Sequence, residues 1–164
     1  MYPPWRVGHG YDIHRLVDAA GAELALAGCR LPVDCQAEAH SDGDVVLHAL
    51  IDAALGAVGD QDIGACFPDS DPAYAGADSG ALLAAAWRRP SLAGRPLLQL
   101  DVTVIAQRPR LGPYRDQLRA SLARLTGLPP DRIGWKARTK EQCDATGAGR
   151  AIEAHVLVVL GESG

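Results

Sequence analysis

The clearest pattern of hydrophobic and polar positions in this chain lies between His40 and about Val58. Apolar residues occur there on almost every side of a predicted helix, which indicates that the helix is buried. Either Ser41 or Asp42 would serve as its N-cap, because a short side-chain oxygen can accept hydrogen bonds from the free amides of the first turn. One polar stripe interrupts the apolar surface: Asp44, His48 and Asp52. Spaced by four residues, these three share one face of the helix, and buried ionisable groups need a partner or a metal ion.

The rest of the chain mixes predicted strands with two further helices. Alternating or β-branched runs predict strands at Trp5 to Leu16, Leu24 to Leu31, Leu97 to Gln107, Arg132 to Arg138 and Ala151 to Leu160. Helices are predicted from Ser79 to about Pro90 and from Pro113 to Gly127. A connection rich in Gly, Pro and Asp lies between Gly59 and Pro72, and irregular segments of this length are more often functional than spare.

This order of elements does not alternate regularly enough for a doubly wound sheet. We therefore predict an α+β fold: a two-layer α/β sandwich in which a mixed four-stranded sheet carries helices on one face, together with a short hairpin. An uncovered second face of the sheet would be hidden by oligomerisation. A single domain over residues 1–164 is expected, because no linker or repeat divides the chain.

Composition and charge narrow the classes of function. A net charge of −4 argues against broad nucleic-acid binding, and no apolar run reaches membrane-spanning length. The N-terminus has neither the apolar core of a signal peptide nor the character of a transit peptide. None of the four cysteines forms a Cys-x-x-Cys pair, so reduced packing thiols are expected. The prediction is a cytoplasmic protein with a small-molecule partner, not a membrane or nucleic-acid partner.

A metal site is suggested by the first strand together with the polar stripe. Asp12 and His14 stand at positions i and i+2 of the strand and therefore point to the same face. With His48 they would form a set of two imidazoles and one carboxylate, which suits Zn²⁺ and leaves a fourth position open. Asp44 or Asp52 would orient the second ring nitrogen of His48. From spacing alone, a core histidine satisfied by one of these aspartates is an equal alternative. The remaining strand histidines are interpreted as structural: His9 and His155.

Several longer motifs, in one register, resemble a single family. They are Gly8-His-Gly-Tyr-Asp12-Ile-His14-Arg, Ala39-His-Ser-Asp-Gly-Asp44-Val-Val-Leu-His48-Ala-Leu, Asp62-Ile-Gly64, Phe67-Pro-Asp-Ser-Asp71-Pro, Gly76-Ala-Asp-Ser79, Asp101-Val-Thr-Val-Ile-Ala-Gln107 and Lys136-Ala…Thr139…Glu141. By these motifs the chain is similar to the 2-C-methyl-D-erythritol 2,4-cyclodiphosphate synthases of non-mevalonate isoprenoid (terpenoid) biosynthesis. The resemblance covers nearly the whole chain.

The resemblance implies ligands, catalytic residues and an assembly. It implies zinc, or another divalent transition metal, at Asp12, His14 and His48, and Mg²⁺ or Mn²⁺ at Glu141. The implied catalytic residues are His40, Thr139 and Glu141. The implied substrate-binding residues are Asp12, His14, His40, Ser41, Asp62, Ile63, Gly64, Phe67, Pro68, Asp69, Ser70, Asp71, Ala106, Arg110, Leu111, Gly112, Arg138 and Thr139. A homotrimer with active sites between subunits is implied as well.

The implied activity is that of a phosphorus–oxygen lyase. Its substrate would be 4-diphosphocytidyl-2-C-methyl-D-erythritol 2-phosphate, a nucleotide diphosphate whose 2-phosphate oxygen attacks the β-phosphorus and releases CMP. A phosphate monoester is already largely ionised near neutral pH, because its second pKa is about 6. The nucleophile needs no general base, so the lack of a Ser–His–Asp pattern is expected.

The last motif departs from the family pattern. Ala145 and Ala148 stand where the family usually has an aromatic residue and an arginine, while Arg138, Lys140 and Arg150 are additional cations nearby. Two interpretations stay open for this segment: the positive charge has been relocated to these cations, or the phosphates are handled differently. Two other functions compete with the cyclase. One is a zinc-dependent phosphoester hydrolase, and the other is a non-catalytic trimer that binds nucleotides or isoprenoid phosphates.

Overall fold

The computed structural model describes residues 3–68, 70, 71, 74 and 76–163, and its elements confirm the predicted α+β class. The strands are β1 (Trp5–Asp18), β2 (Glu23–Leu26), β3 (Cys29–Pro32), β4 (Cys35–Glu38), β5 (Leu97–Ala106), β6 (Ile133–Arg138) and β7 (Ala151–Gly161). The α-helices are α1 (Val45–Ala57), α2 (Ile63–Cys66), α3 (Ser79–Trp87), α4 (Arg115–Thr126) and α5 (Asp144–Gly147). Single 3-10 turns cover Gly112–Tyr114 and Pro130–Arg132. No helix among the described residues is long and apolar enough to cross a membrane.

The main sheet has five strands in the order β4-β1-β7-β5-β6, rather than the four predicted. β7 is antiparallel to both β1 and β5, and β5 is parallel to β6. The unpredicted fifth strand is β4, which adds only four residues to the edge beside the end of β1. A strand this short carries too few positions for an alternating pattern.

The predicted strand from Leu24 to Leu31 is wrong, because the chain reverses in its middle. Ala27 and Gly28 both have positive φ angles, 51° and 74°, and they join β2 to β3 as a two-stranded hairpin. Positive φ at both central residues suits the right-handed twist of a tight hairpin. Ala27 gave no sign of a turn in the sequence, because alanine rarely adopts this conformation.

The predicted start of the first helix is also wrong. The helix begins at Val45, and its N-cap is Asp44, whose Oδ1 accepts hydrogen bonds from the amides of Val46 and Leu47 at 3.1 Å each. Ser41 and Asp42 lie in the loop before it. These residues are therefore free to take other partners beside the site described below.

Helices α1 and α3 lie on one face of the sheet. α1 packs on β1 and β7, and α3 packs on α1. On the other face, the short helix α5 covers one end, where Thr146 donates to Glu153, the residue paired with Ile13, and the described residues leave the rest of that face uncovered. Large apolar side chains on that face are 40–48% exposed: Trp5, Val7, Tyr11, Ile13 and Leu157. A contiguous apolar patch on a soluble domain indicates an interaction surface.

Candidate active site

The metal-ligand candidates of the sequence come together at the junction of β1 and α1. Asp12 Oδ2 lies 3.1 Å from His14 Nε2 and 3.0 Å from His48 Nδ1, and the two nitrogens are 3.1 Å apart. Ligand atoms around a tetrahedral zinc at about 2.0–2.1 Å are about 3.3 Å from each other. The three side chains therefore form one triangular face of a tetrahedral site, with the fourth position left for a ligand. This donor set fits zinc or another divalent transition metal.

Close contact between α1 and β1 creates this triangle. Gly10 is on the buried face of β1, where an added Cβ would lie 1.9 Å from the carbonyl oxygen of Ala49. The helix backbone therefore touches the strand backbone, and His48, one residue before Ala49, is carried over the strand positions of Asp12 and His14. Only glycine permits such an approach.

The charges within the triangle favour an ionised carboxylate. Burial by itself would raise the pKa of Asp12, but hydrogen bonds from His14 and His48 outweigh it and lower the pKa to about 2. Burial would likewise lower the pKa of His48, but the hydrogen bond to Asp12 and the carboxylates nearby raise it above its usual value. Asp12 therefore stays ionised, and His48 holds its proton more tightly than an ordinary histidine does. The site can hold either protons or a metal cation.

The second ring nitrogen of His48 is oriented by serines, which corrects the prediction of Asp44 or Asp52. His48 Nε2 lies 2.9 Å from Ser79 Oγ and 3.2 Å from Ser41 Oγ. Ser79 is completely buried.

Both aspartates of the polar stripe bind backbone amides instead. Besides capping α1, Asp44 accepts hydrogen bonds from Ala27 and Gly28, so it ties the hairpin turn to the helix. Asp52 accepts a hydrogen bond of 2.7 Å from the amide of Ile63 at the start of α2. The three residues of the stripe therefore have separate roles along one helix: Asp44 is a cap, His48 is a metal-ligand candidate and Asp52 anchors the next segment.

A cavity of about 280 Å³ opens beside the triangle. Seven of the predicted site residues line it: His14, His40, Ser41, His48, Ile63, Gly64 and Phe67. Additional lining comes from Glu38, Ala39, Tyr74 and Leu82, which the sequence pattern does not single out. His40 and Ser41 lie in the loop before α1, so their polar groups face the same space as the metal ligands.

The segment that follows α1 supplies one wall of the cavity. Asp62 caps the short helix α2 by accepting a hydrogen bond from Ala65 at 2.8 Å. Phe67 is buried, with its ring edge-on to Tyr74 at 5.3 Å. Pro68, Ser70 and Asp71 continue the chain from Phe67, and the amide of Asp71 donates to the carbonyl of Pro68. The predicted substrate residue Asp69 lies outside the described residues.

A second cavity of about 580 Å³ lies at the ends of β5 and β6. Six predicted residues line it: Ala106, Arg110, Leu111, Gly112, Arg138 and Thr139. Gln107 also lines it, and its side-chain oxygen is buried without a hydrogen-bond partner among the described residues. A buried acceptor without a donor costs about 1–3 kcal/mol, which a ligand N–H group at this point would recover.

Glu141 follows this cavity in a strained loop. Its φ angle is +49°, and Gln142 and Asp144 are also left-handed, at 64° and 60°. Non-glycine residues held in this region cost about 1–3 kcal/mol each and cluster at functional sites. Thr139 Oγ1 lies 2.9 Å from Glu141 Oε1, so the two predicted catalytic groups are side by side and exposed.

An ion-pair network holds this loop to the sheet. Lys140 bonds to Glu153 at 2.6 Å and to Asp144 at 3.0 Å, and Thr146 also donates to Glu153. Burial would raise the pKa of the Glu153 carboxyl, but the hydrogen bonds from Lys140 and Thr146 outweigh it, and the pKa is lowered. Lys140 is therefore occupied as an anchor, and the exposed cations among the described residues that line the second cavity are Arg110 and Arg138.

The two strand histidines interpreted as structural lie on the uncovered face of the sheet. His9 Nε2 is 3.2 Å from His155 Nδ1, and their rings are stacked. β1 stays regular through its glycines, so His9 points away from Asp12 and His14.

Comparison with known proteins agrees with this site. The model of the YgbB family matches residues 5–161. The 2-C-methyl-D-erythritol 2,4-cyclodiphosphate synthase of Yersinia pestis (strain Pestoides F) is 47% identical over 155 residues, which are 94% of this chain and 96% of the relative. The chloroplastic synthase of Oryza sativa subsp. japonica is 45% identical over 157 residues, 96% of this chain and 70% of the relative.

A solved structure shows the same fold with a nucleotide bound. It is a 2C-methyl-D-erythritol-2,4-cyclodiphosphate synthase in a form with CDP, with a TM-score of 0.86 and 43% identity over 94% of this chain and 99% of that one. The family match spans both cavities and the three metal-ligand candidates. This chain therefore belongs to the YgbB family.

Proposed function

We propose that this protein converts 4-diphosphocytidyl-2-C-methyl-D-erythritol 2-phosphate to 2-C-methyl-D-erythritol 2,4-cyclodiphosphate and CMP. The observation that carries the proposal is the Asp12–His14–His48 triangle, which opens onto a cavity with His40 and Ser41 at its rim. Relatives that bear the name of this synthase are 45–47% identical to the chain.

The reaction is an intramolecular phosphoryl transfer. A 2-phosphate oxygen forms a bond to the β-phosphorus, and the bond from that phosphorus to the bridging oxygen breaks, so that CMP leaves with the bridging oxygen. The nucleophile is ionised near neutral pH, since the second pKa of a phosphate monoester is about 6. No general base is required, and the protein must instead bring two anionic groups together in line.

The residues of the first cavity would hold the reacting phosphate. The hydroxyl of Ser41 accepts a hydrogen bond from the amide of Gly43, at 3.3 Å, and retains its own hydrogen for a phosphate oxygen. His40 is exposed beside it and can donate a second bond. Fixed alignment of reacting groups can supply about 7–11 kcal/mol of the barrier in favourable cases.

The metal site would offset the charge of that phosphate. Zinc, or another divalent transition metal, at Asp12, His14 and His48 would neutralise phosphate charge and fix the phosphate at its open position. Glu141 would hold Mg²⁺ or Mn²⁺, for which a carboxylate oxygen is a suitable ligand.

The second cavity would hold the nucleotide. Its size and mostly apolar walls suit a cytosine base, and the partnerless oxygen of Gln107 is an acceptor that matches the exocyclic amine of cytosine. Thr139 and Arg138 at its rim would bind the diphosphate.

The assembly would be a homotrimer with active sites between subunits. The uncovered apolar face of the sheet supports self-association, because such a face is costly to leave in water. The two cavities have no lining residue in common, and each offers one part of what the substrate requires.

Product analysis by phosphorus NMR tests the proposed reaction. We expect the purified protein with Zn²⁺ and Mg²⁺ to yield CMP and a cyclic diphosphate, and His48→Ala to yield neither. CMP with a linear phosphate would show a zinc-dependent hydrolase instead. An unchanged substrate that still binds would show a non-catalytic binding trimer.

A further inference from the structure

The buried hydroxyl of Ser79 links a metal-ligand candidate to a carboxylate. Ser79 Oγ lies 2.9 Å from His48 Nε2, and the same hydroxyl donates to Asp42 Oδ1. The backbone amide of Ser79 donates to the other carboxylate oxygen of Asp42 at 3.0 Å. Asp42 therefore holds Ser79 by two bonds, and Ser79 cannot rotate away from His48 without breaking one of them.

The direction of these hydrogen bonds follows from the groups involved. A carboxylate only accepts, so the single hydrogen of the Ser79 hydroxyl points to Asp42. The lone pair that remains on Ser79 Oγ must then accept from His48 Nε2, which has to carry a hydrogen. In a neutral imidazole this leaves the lone pair on Nδ1, the atom that faces Asp12 and His14.

We propose that Asp42 and Ser79 form a relay that positions His48 and selects the tautomer able to bind the metal. The proposal rests on the metal site of the proposed function and adds two positioning residues to it. Groups of this kind, behind a metal-bound histidine, typically alter metal affinity by about 10–100-fold.

The two serines at Nε2 have different roles in this relay. Ser41 lines the cavity and is partly exposed, whereas Ser79 is completely buried. When the Ser41 hydroxyl is engaged by a substrate phosphate, Ser79 Oγ remains as the acceptor for the hydrogen on His48 Nε2. His48 therefore keeps its orientation while Ser41 serves the substrate.

A purely structural role for Ser79 would be to join α3 to the loop before α1. That role predicts a change in the stability of the metal-free protein without a specific change in metal affinity. The relay predicts a specific loss of metal affinity that a change in the stability of the metal-free protein does not explain. The two roles are separated by measuring zinc affinity and the unfolding of the metal-free protein on the same variants.

The test uses Zn²⁺ alone, without substrate, in competition with a chelator. Ser79→Ala is expected to weaken zinc binding by about 10–100-fold, whereas Ser121→Ala, which removes another buried helical serine, is expected to retain wild-type affinity. Asp42→Asn should give an intermediate loss, because its amide can accept only one of the two bonds from Ser79. Wild-type zinc affinity in Ser79→Ala would overturn the relay.

Two further outcomes are decisive. If Ser79→Ala does not fold, Asp42→Asn decides alone: weakened zinc binding supports the relay and unchanged binding overturns it. A wild-type protein that binds no zinc also overturns it. A protein that binds zinc through the relay but makes no cyclic diphosphate would leave the relay intact and reject the proposed function.

Discussion

At the scale of single residues, the candidate metal site can hold either protons or a metal cation. Asp12 stays ionised at all but very low pH, since its pKa is lowered to about 2. The pKa of His48 is raised in the metal-free protein, so His48 keeps its proton to a higher pH than an ordinary histidine, and a metal must displace that proton to bind. His48 is thus the group that makes metal binding sensitive to pH.

We predict that zinc affinity falls as the pH falls from about 8 to about 5.5. Because the pKa of His48 is raised above its usual value, the loss should begin above pH 6.5, the usual histidine pKa. At pH values below the pKa of His48, zinc affinity should fall about tenfold for each further unit that the pH is lowered, if binding displaces one proton. Calorimetric titration with Zn²⁺ in buffers of different ionisation enthalpy would count the proton. Affinity that is constant through this range would contradict the account.

The sequence predicts the candidate metal ligands better than the residues that orient them. Asp12, His14 and His48 can be named from strand parity and a family motif, and the structure brings them together. Ser79 follows His48 by 31 residues and meets it only through the packing of α3 on α1. Helical spacing suggests Asp44 and Asp52 as partners, but a short aspartate side chain binds nearby backbone amides in preference. Only the family motif that ends at Ser79 marks it in the sequence.

At the scale of elements, the position of α1 on β1 fixes the distance between His48 and the other two ligands. The contact depends on Gly8 and Gly10, where an added Cβ would lie 1.8 Å and 1.9 Å from carbonyl oxygens of the helix. Backbone atoms cannot yield as flexible side chains do, so any larger residue must move the helix.

We predict that Gly10→Ala destabilises the protein by more than about 2 kcal/mol and weakens zinc binding, because α1 must move away from β1. Gly56→Ala is the matched control: it adds the same methyl group to α1 at a point where no heavy atom of the described residues, apart from the backbone of its own helix and its chain neighbours, lies within 4 Å. That control should be stabilised by about 0.5–1 kcal/mol, since alanine favours a helix interior. Urea unfolding and zinc titration of both variants provide the measurement. Equal behaviour of the two variants would disprove the close contact.

Helices and strands could be predicted where a long segment has a regular hydrophobic period. The prediction failed where a turn or a short strand determines the local structure. Helices α3 and α4 and strands β5 and β6 lie within the predicted segments, and β7 runs one residue past its predicted end at Leu160. β4 was missed because four residues at a sheet edge hold little pattern. α1 starts at Val45 and not near His40, because Gly43 has a positive φ of 73° and the acceptable cap is Asp44. Several Asp and Ser residues in succession are all plausible caps, and only packing selects one.

At the scale of the whole molecule, the two cavities described above lie at the same end of the sheet. His14 in β1 and Ala106 in β5 pair with the same residue, Ile152, from opposite sides. They are therefore two strand spacings apart, about 10 Å. The pattern of residues along the chain does not decide which pair of cavities, within a chain or between chains, forms one active site, because that depends on assembly; the family resemblance alone implies a site between subunits.

We predict that two inactive variants restore activity when they assemble together. His48→Ala damages only the metal cavity, and Glu141→Ala damages only the nucleotide side. In randomly mixed trimers with sites between subunits, about a quarter of the sites would combine two intact halves. Co-refolding the differently tagged variants and measuring CMP release tests this. Activity no higher than the average of the two parents would place each active site within one chain.

The central claim is that a substrate phosphate, and not water, attacks the β-phosphorus. The most direct measurement is mass spectrometry of the products formed by the Zn²⁺- and Mg²⁺-loaded protein in ¹⁸O-labelled water. We expect CMP and the cyclic diphosphate both to form without any oxygen from the solvent. One ¹⁸O atom in either phosphate product, acquired during turnover, would show hydrolysis and rule out attack by the substrate phosphate.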